Sequence, residues 1–206
     1  MQTEALEQRW YNLFPQAERA VARKELQSLC SRYGEPHRHY HTLEHVAACL
    51  QWLDQVRDAV PNPAAVEMAL WFHDVVYNAR KQNNEFISAE YAVATLSPLK
   101  VERAVRNEVK ALVLVTQHPS IPTTDNERWM LDIDLAILGA TPDAYDDYAQ
   151  RIRREYQHVP DALYRAGRKQ VLEAFLATGR LYHTDYFFRQ LETRARANLQ
   201  REIAGL

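Results

Sequence analysis

Apolar residues in this chain recur at intervals of three and four, the period of a helix that buries one face. Leu43, Val46, Ala47, Leu50 and Leu53 form one such series, and Val101, Val105, Val109, Leu112 and Val115 form another. Strand-like alternation is not seen. The run VKALVLVT has the apolarity of a short buried strand, but the charges flanking it continue a helix. Only five glycines occur, and prolines fall mostly where helices begin. Asn62-Pro63 and Thr141-Pro142 each read as an N-cap followed by proline at the first helical position. Thr184 is a further cap and Gly34 a helix stop. The pattern predicts helices over 4–13, 17–33, 42–59, 63–77, 84–96, 99–117, 126–138, 142–157, 160–178 and 184–203, an all-α fold, with a loop over 118–127.

A chain of 206 residues is long enough to close one hydrophobic core without disulfides, so a single domain over 1–206 is expected. The formal net charge of −2 carries no overall basic footprint and argues against a dedicated binder of nucleic-acid polymers. The two cysteines, Cys30 and Cys49, belong to no CxxC pair and sit among apolar neighbours. Buried free thiols in a reducing compartment are the expectation. The N-terminal MQTEALEQRWYNLF is acidic early and lacks an apolar stretch of signal-peptide length. No apolar run approaches the roughly 20 residues of a membrane span. A cytoplasmic protein without membrane partners follows as an expectation. Trp10, Trp52, Trp71 and Trp129 read as core aromatics.

The chemistry concentrates in three segments. Four of the eight histidines fall between positions 37 and 45, in PHRHYHTLEH. A helix starting near Thr42 places His41 and His45 one turn apart, with Cys49 and Trp52 continuing that face inward. The second segment, ALWFHDVVY, sets His73 and Asp74 in apolar surroundings. Burying an unpaired carboxylate there costs several kcal/mol, so Asp74 needs an ion pair, a proton or a metal. The third, WMLDIDLAILG, again puts carboxylates inside an apolar helix. Neighbours three and four positions from Asp134 are Met130, Leu131, Ile137 and Leu138, all apolar. Those of Asp132 include Arg128, which makes Asp132 the marginal carboxylate, either paired with Arg128 or supporting the site from behind its ligands, and Asp134 the inward one. Three helices that each direct His or Asp inward make a mixed nitrogen–oxygen metal site the economical explanation.

The ordered set EPHRHYHTLEH, FHDVVY, NNEFISAEYA, the His118 region, LDIDLAILG, REYQHVP, GRKQVLEAFL and RARANLQREI resembles the bacterial metal-dependent phosphohydrolases of the HD superfamily, over nearly the whole chain. The resemblance implies a single-domain helical bundle of HD type with a metal-centred pocket. His45, His73, Asp74 and Asp134 would be its metal ligands. YHTLEH is also similar to the YHNxxH segment of cyclic-nucleotide phosphodiesterases, whose earlier histidine protonates the leaving group. His41 stands at that position, with Thr42 in place of the asparagine.

Such a site predicts hydrolysis of a small phosphate ester, with nucleotides among the candidates, by water activated at a divalent ion. Two imidazoles with two carboxylates suit one or two ions of Mn, Fe, Co, Ni or Zn better than Mg. His41, Asp74 and Glu85 are the candidate catalytic residues, with Glu85 and Ser88 placed to position water or substrate. Arg38, Lys110, His118 and Arg168 are the candidate phosphate-binding residues. Three alternatives remain at this level: a cyclic-nucleotide phosphodiesterase, a di-iron oxygenase on the same core, and a non-catalytic metal or nucleotide sensor. Neither the substrate nor the oligomeric state is encoded legibly.

Overall fold

A computed structural model describes residues 2–117 and 119–206. Among them are ten α-helices and no strand: α1 (Gln2–Leu13), α2 (Arg19–Tyr33), α3 (Leu43–Val56), α4 (Pro63–Phe72), α5 (Asn84–Leu96), α6 (Arg103–Leu114), α7 (Asp125–Asp134), α8 (Pro142–Glu155), α9 (Asp161–Ala177) and α10 (Asp185–Gly205). None is long and apolar enough to cross a membrane. The chain divides into two compact units, Met1–Met130 and Leu131–Leu206, and the division falls inside α7, which is unbroken from Asp125 to Asp134.

In the first unit α4 is the central element, buried at every position from Ala65 to Phe72. Its start follows the sequence: Pro63 occupies the first turn and the Asn62 side chain accepts from Ala65 N–H at 3.3 Å. The helices α3, α5 and α6 pack against it. Trp10 meets Phe14 and Trp71 edge-on, at ring separations of 4.6 and 5.4 Å, and its indole N–H donates to the Ala22 carbonyl at 2.9 Å. Trp10 and Trp71 are fully buried, whereas Trp52 and Trp129, also expected in the core, are only partly so. Cys49 is buried, but Cys30 is half-buried, contrary to the expectation for both thiols.

The sequence pattern extends α4 to residue 77, yet the helix stops at Phe72. The reason lies in side chains that replace helical donors. Arg38 Nη1 donates to the carbonyls of His41 (3.1 Å) and Asp74 (2.6 Å), and Nη2 to that of Val75 (2.9 Å). Ser88 Oγ accepts from Val76 N–H at 3.0 Å and donates to the Val76 carbonyl at 3.2 Å. These bonds take over part of the pairing that a continued helix would give the segment 73–77, and so lower the cost of leaving it. The expected helix 99–117 is shortened similarly. Lys100 takes a left-handed φ of 61°, and at the far end Thr116 Oγ1 donates to the Val113 carbonyl at 2.7 Å. The ends of 42–59 and 126–138 continue as 3₁₀ turns over Arg57–Ala59 and Leu135–Gly139.

In the second unit α10 packs along the Leu135–Gly139 turn. Gly139 allows the approach, because a Cβ there would lie 2.6 Å from Leu191 Cβ. Asn198 Nδ2 donates to the carbonyls of Leu138 and Ala140, each at 2.9 Å. The Thr184 cap forms as expected, accepting from Phe187 N–H, while Thr141 holds the N-cap position of α8 without a side-chain capping bond.

Asp132 corrects the helical-wheel expectation. It is fully buried, not marginal, and accepts from His183 N–H (2.7 Å), Thr184 N–H (2.7 Å) and Thr184 Oγ1 (2.6 Å). Arg128 pairs with Asp125 instead. Burial pushes the Asp132 carboxyl up to about 6, against the pull of those three donors. Asp132 therefore fastens the start of α10. Replacing it with Ala leaves three donors unsatisfied and is expected to destabilise the protein by about 3–5 kcal/mol, read as a lowered urea midpoint. A loss below about 1 kcal/mol would show that water replaces the carboxylate.

Candidate metal centre

The centre is built from the start of α3 and the end of α4. Thr42 caps α3 by accepting from Glu44 N–H at 3.3 Å. His45 follows on the first turn and is buried, with Cys49 Sγ one turn further on, 3.7 Å from its Nδ1. His73 is the C-cap of α4 and almost fully buried. Its Nδ1 lies 3.0 Å from the Leu70 carbonyl. That contact favours the tautomer protonated at Nδ1, which leaves the Nε2 lone pair facing the interior.

Three donor atoms converge. His45 Nε2 and His73 Nε2 are 3.0 Å apart, and Asp74 Oδ2 lies 3.0 Å from His73 Nε2 and 3.6 Å from His45 Nε2. Asp134, the last residue of α7, offers a fourth: one ligand atom from each of His45, His73, Asp74 and Asp134 lies within 4.8 Å of the others. Burial opposes charge on Asp74, but the imidazoles of His73, His41 and His45 outweigh it and hold its carboxyl well below the usual carboxylate range. The separations have a simple interpretation. Two donors each about 2.1 Å from one ion stand ~3.4 Å apart at the tetrahedral angle and ~3.0 Å apart at a right angle. The group can hold a metal ion, and its two nitrogens and two oxygens fit a borderline divalent cation.

His41 precedes the cap of α3. Its ring stacks on Tyr77 at 4.1 Å and stands 6.1 Å from the ring of His45, beside the trio. Tyr77, the last residue of FHDVVY, was not among the expected site residues; its carbonyl lies 2.8 Å from His37 Nε2. Glu85 sits half-buried in the first turn of α5. Ser88, expected to position water or substrate, is instead buried and bonded to Val76.

The expected phosphate-binding residues fare differently. The Arg38 guanidinium is enclosed and its donors go to Glu35 and three carbonyls, so it is a structural tie and not a phosphate clamp. Lys110 pairs with Glu90 on a partly exposed surface. Arg168, in the second unit, is held by Glu202 at 2.8 and 3.1 Å and by Tyr148 at 3.4 Å. Each cation is engaged by groups of its own unit. His118 lies outside the described residues. Compared with known proteins, the chain matches no family model, no curated protein and no solved structure.

Proposed function

We propose that the chain is a metal-dependent phosphohydrolase of HD type acting on a small phosphate ester. The observation that carries this reading is the convergence of His45, His73, Asp74 and Asp134. Two buried imidazoles within 3.0 and 3.6 Å of a carboxylate oxygen form a mixed nitrogen–oxygen donor set that suits a cation. A bound divalent ion supplies Lewis acidity toward water and phosphoryl oxygen. Mn, Fe, Co, Ni and Zn suit these donors better than Mg.

The remaining steps belong to the chain's own residues. Leu70 fixes the His73 ring through Nδ1, and the clamp of Arg38 on the Asp74 carbonyl fixes the backbone that aims the carboxylate. As water oxygen bonds to phosphorus and the ester P–O bond breaks, the attacking water gives up a proton to solvent and His41 donates one to the departing oxygen. The stack on Tyr77 holds that imidazole at the edge of the centre, clear of the ligand positions. Glu85, in the first turn of α5, is the candidate to orient water.

The test is elemental analysis of anaerobically purified protein, followed by monoesters, cyclic diesters and nucleic acid supplied with each metal. The expected result is hydrolysis of a small phosphate ester that a chelator stops and one of the five transition ions restores. Nucleic-acid polymers should bind weakly at physiological salt, because the near-neutral chain lacks an overall cationic surface. Full metal occupancy without turnover would make the centre a sensor, and iron with oxygen uptake would make it an oxygenase.

A further inference from the structure

The tyrosine of PHRHYHTLEH stands directly before His41 and five positions before His45, yet its side chain meets both. The Tyr40 ring lies 4.8 Å from the ring of His45, tilted by 40°, and 5.1 Å from that of His41, edge-on at 83°. We propose, on the metal-centred reading above, that Tyr40 is a positioning residue: one ring that fixes both the ligand His45 and the proton donor His41.

A tight turn sets the ring there. Thr42 N–H donates to the Tyr40 carbonyl at 2.7 Å, closing a three-residue turn just before α3. Arg38 Nη1 holds the next carbonyl, that of His41, at 3.1 Å. The backbone is thus pinned at two successive carbonyls, and the half-buried Tyr40 ring folds back over the first turn of α3, where His45 lies.

The two aromatic contacts of His41 restrain different motions. Tyr77 stacks on it with planes 26° apart, and a parallel stack leaves a ring able to slide and turn in its own plane. Tyr40 meets the same imidazole nearly at a right angle and blocks that motion. For His45, Tyr40 is a wall that limits rotation of the ring while its Nε2 stands 3.0 Å from that of His73. His73 is aimed by other means, the Leu70 carbonyl at its Nδ1. An aromatic contact of this kind is worth up to about tenfold in an equilibrium.

Cobalt(II) is the probe, because its visible absorption reports ligand geometry as well as occupancy. Tyr40→Leu keeps apolar bulk and removes the ring, whereas Tyr40→Phe keeps the ring and removes the hydroxyl. Tyr40→Leu is expected to bind cobalt about tenfold more weakly, with altered absorption and an unchanged circular dichroism spectrum. At saturating metal it should hydrolyse esters of high leaving-group pKa about tenfold more slowly. Esters whose leaving group departs without a proton should lose less. Tyr40→Phe should match the wild type in every measurement. A ring that merely packed the entrance to α3 would change thermal stability and leave cobalt affinity, absorption and leaving-group dependence untouched. That result, or equal losses in Tyr40→Phe, overturns the proposal while the metal centre stands. A wild-type protein that leaves cobalt unbound refutes the metal centre itself, and the role of Tyr40 with it.

Discussion

His73→Ala and Asp74→Ala are each expected to purify with metal content near background and to lose hydrolysis together, by roughly 10³-fold or more, the scale of a positioned electrostatic group. Each substitution removes a donor from a group whose atoms stand 3.0 Å apart. Neither removes the helix that carries it, since α4 is capped at Asn62 and buried from Ala65 onward. The fold should therefore survive, as circular dichroism would report. Asp74→Asn makes the comparison stricter, because it keeps the shape and removes the charge that three imidazoles favour. Full metal occupancy in both alanine variants would refute the metal centre.

His41→Ala is expected to do something different: retain the metal while kcat falls by roughly 10² to 10⁴, the usual range for a lost general acid. The separation follows from position. His41 lies before the cap of α3, stacked on Tyr77, whereas His45 lies on the first turn with its Nε2 among the donors. A leaving group of low pKa should reduce the defect, since it departs without a proton. If the metal is lost, His41 is a ligand. If neither metal nor rate changes, the ring serves only to pack against Tyr77.

The helices were legible where neighbouring residues decide them. Spacing of apolar positions, together with the placement of glycine, proline and cap residues, located all ten, and Asn62-Pro63 and Thr184 marked two starts that the structure bears out. Helix ends set by distant partners were not legible. The release of 73–77 from α4 depends on Arg38, 36 positions before Asp74, and on Ser88, 12 positions after Val76. The two carboxylates of LDIDLAILG show the same limit. A helical wheel knows which residues flank Asp132 on α7, but its acceptor role was decided by His183 and Thr184, some fifty positions away. The fork of donors that suits an arginine to phosphate is, at Arg38, what binds it to three carbonyls. His45 and His73-Asp74 were easier to read, because imidazole and carboxylate in so apolar a context need a partner that sequence alone can anticipate.

The Arg38 tie also bears on how the residues of the candidate centre are held. A guanidinium keeps its charge at any physiological pH. Its bonds hold the segment before α3 to the segment after α4 through the backbone carbonyls of His41, Asp74 and Val75. The socket is thus braced from outside, and its shape does not have to be assembled around whatever fills it. On the proposed reading an ion would enter a frame already in place.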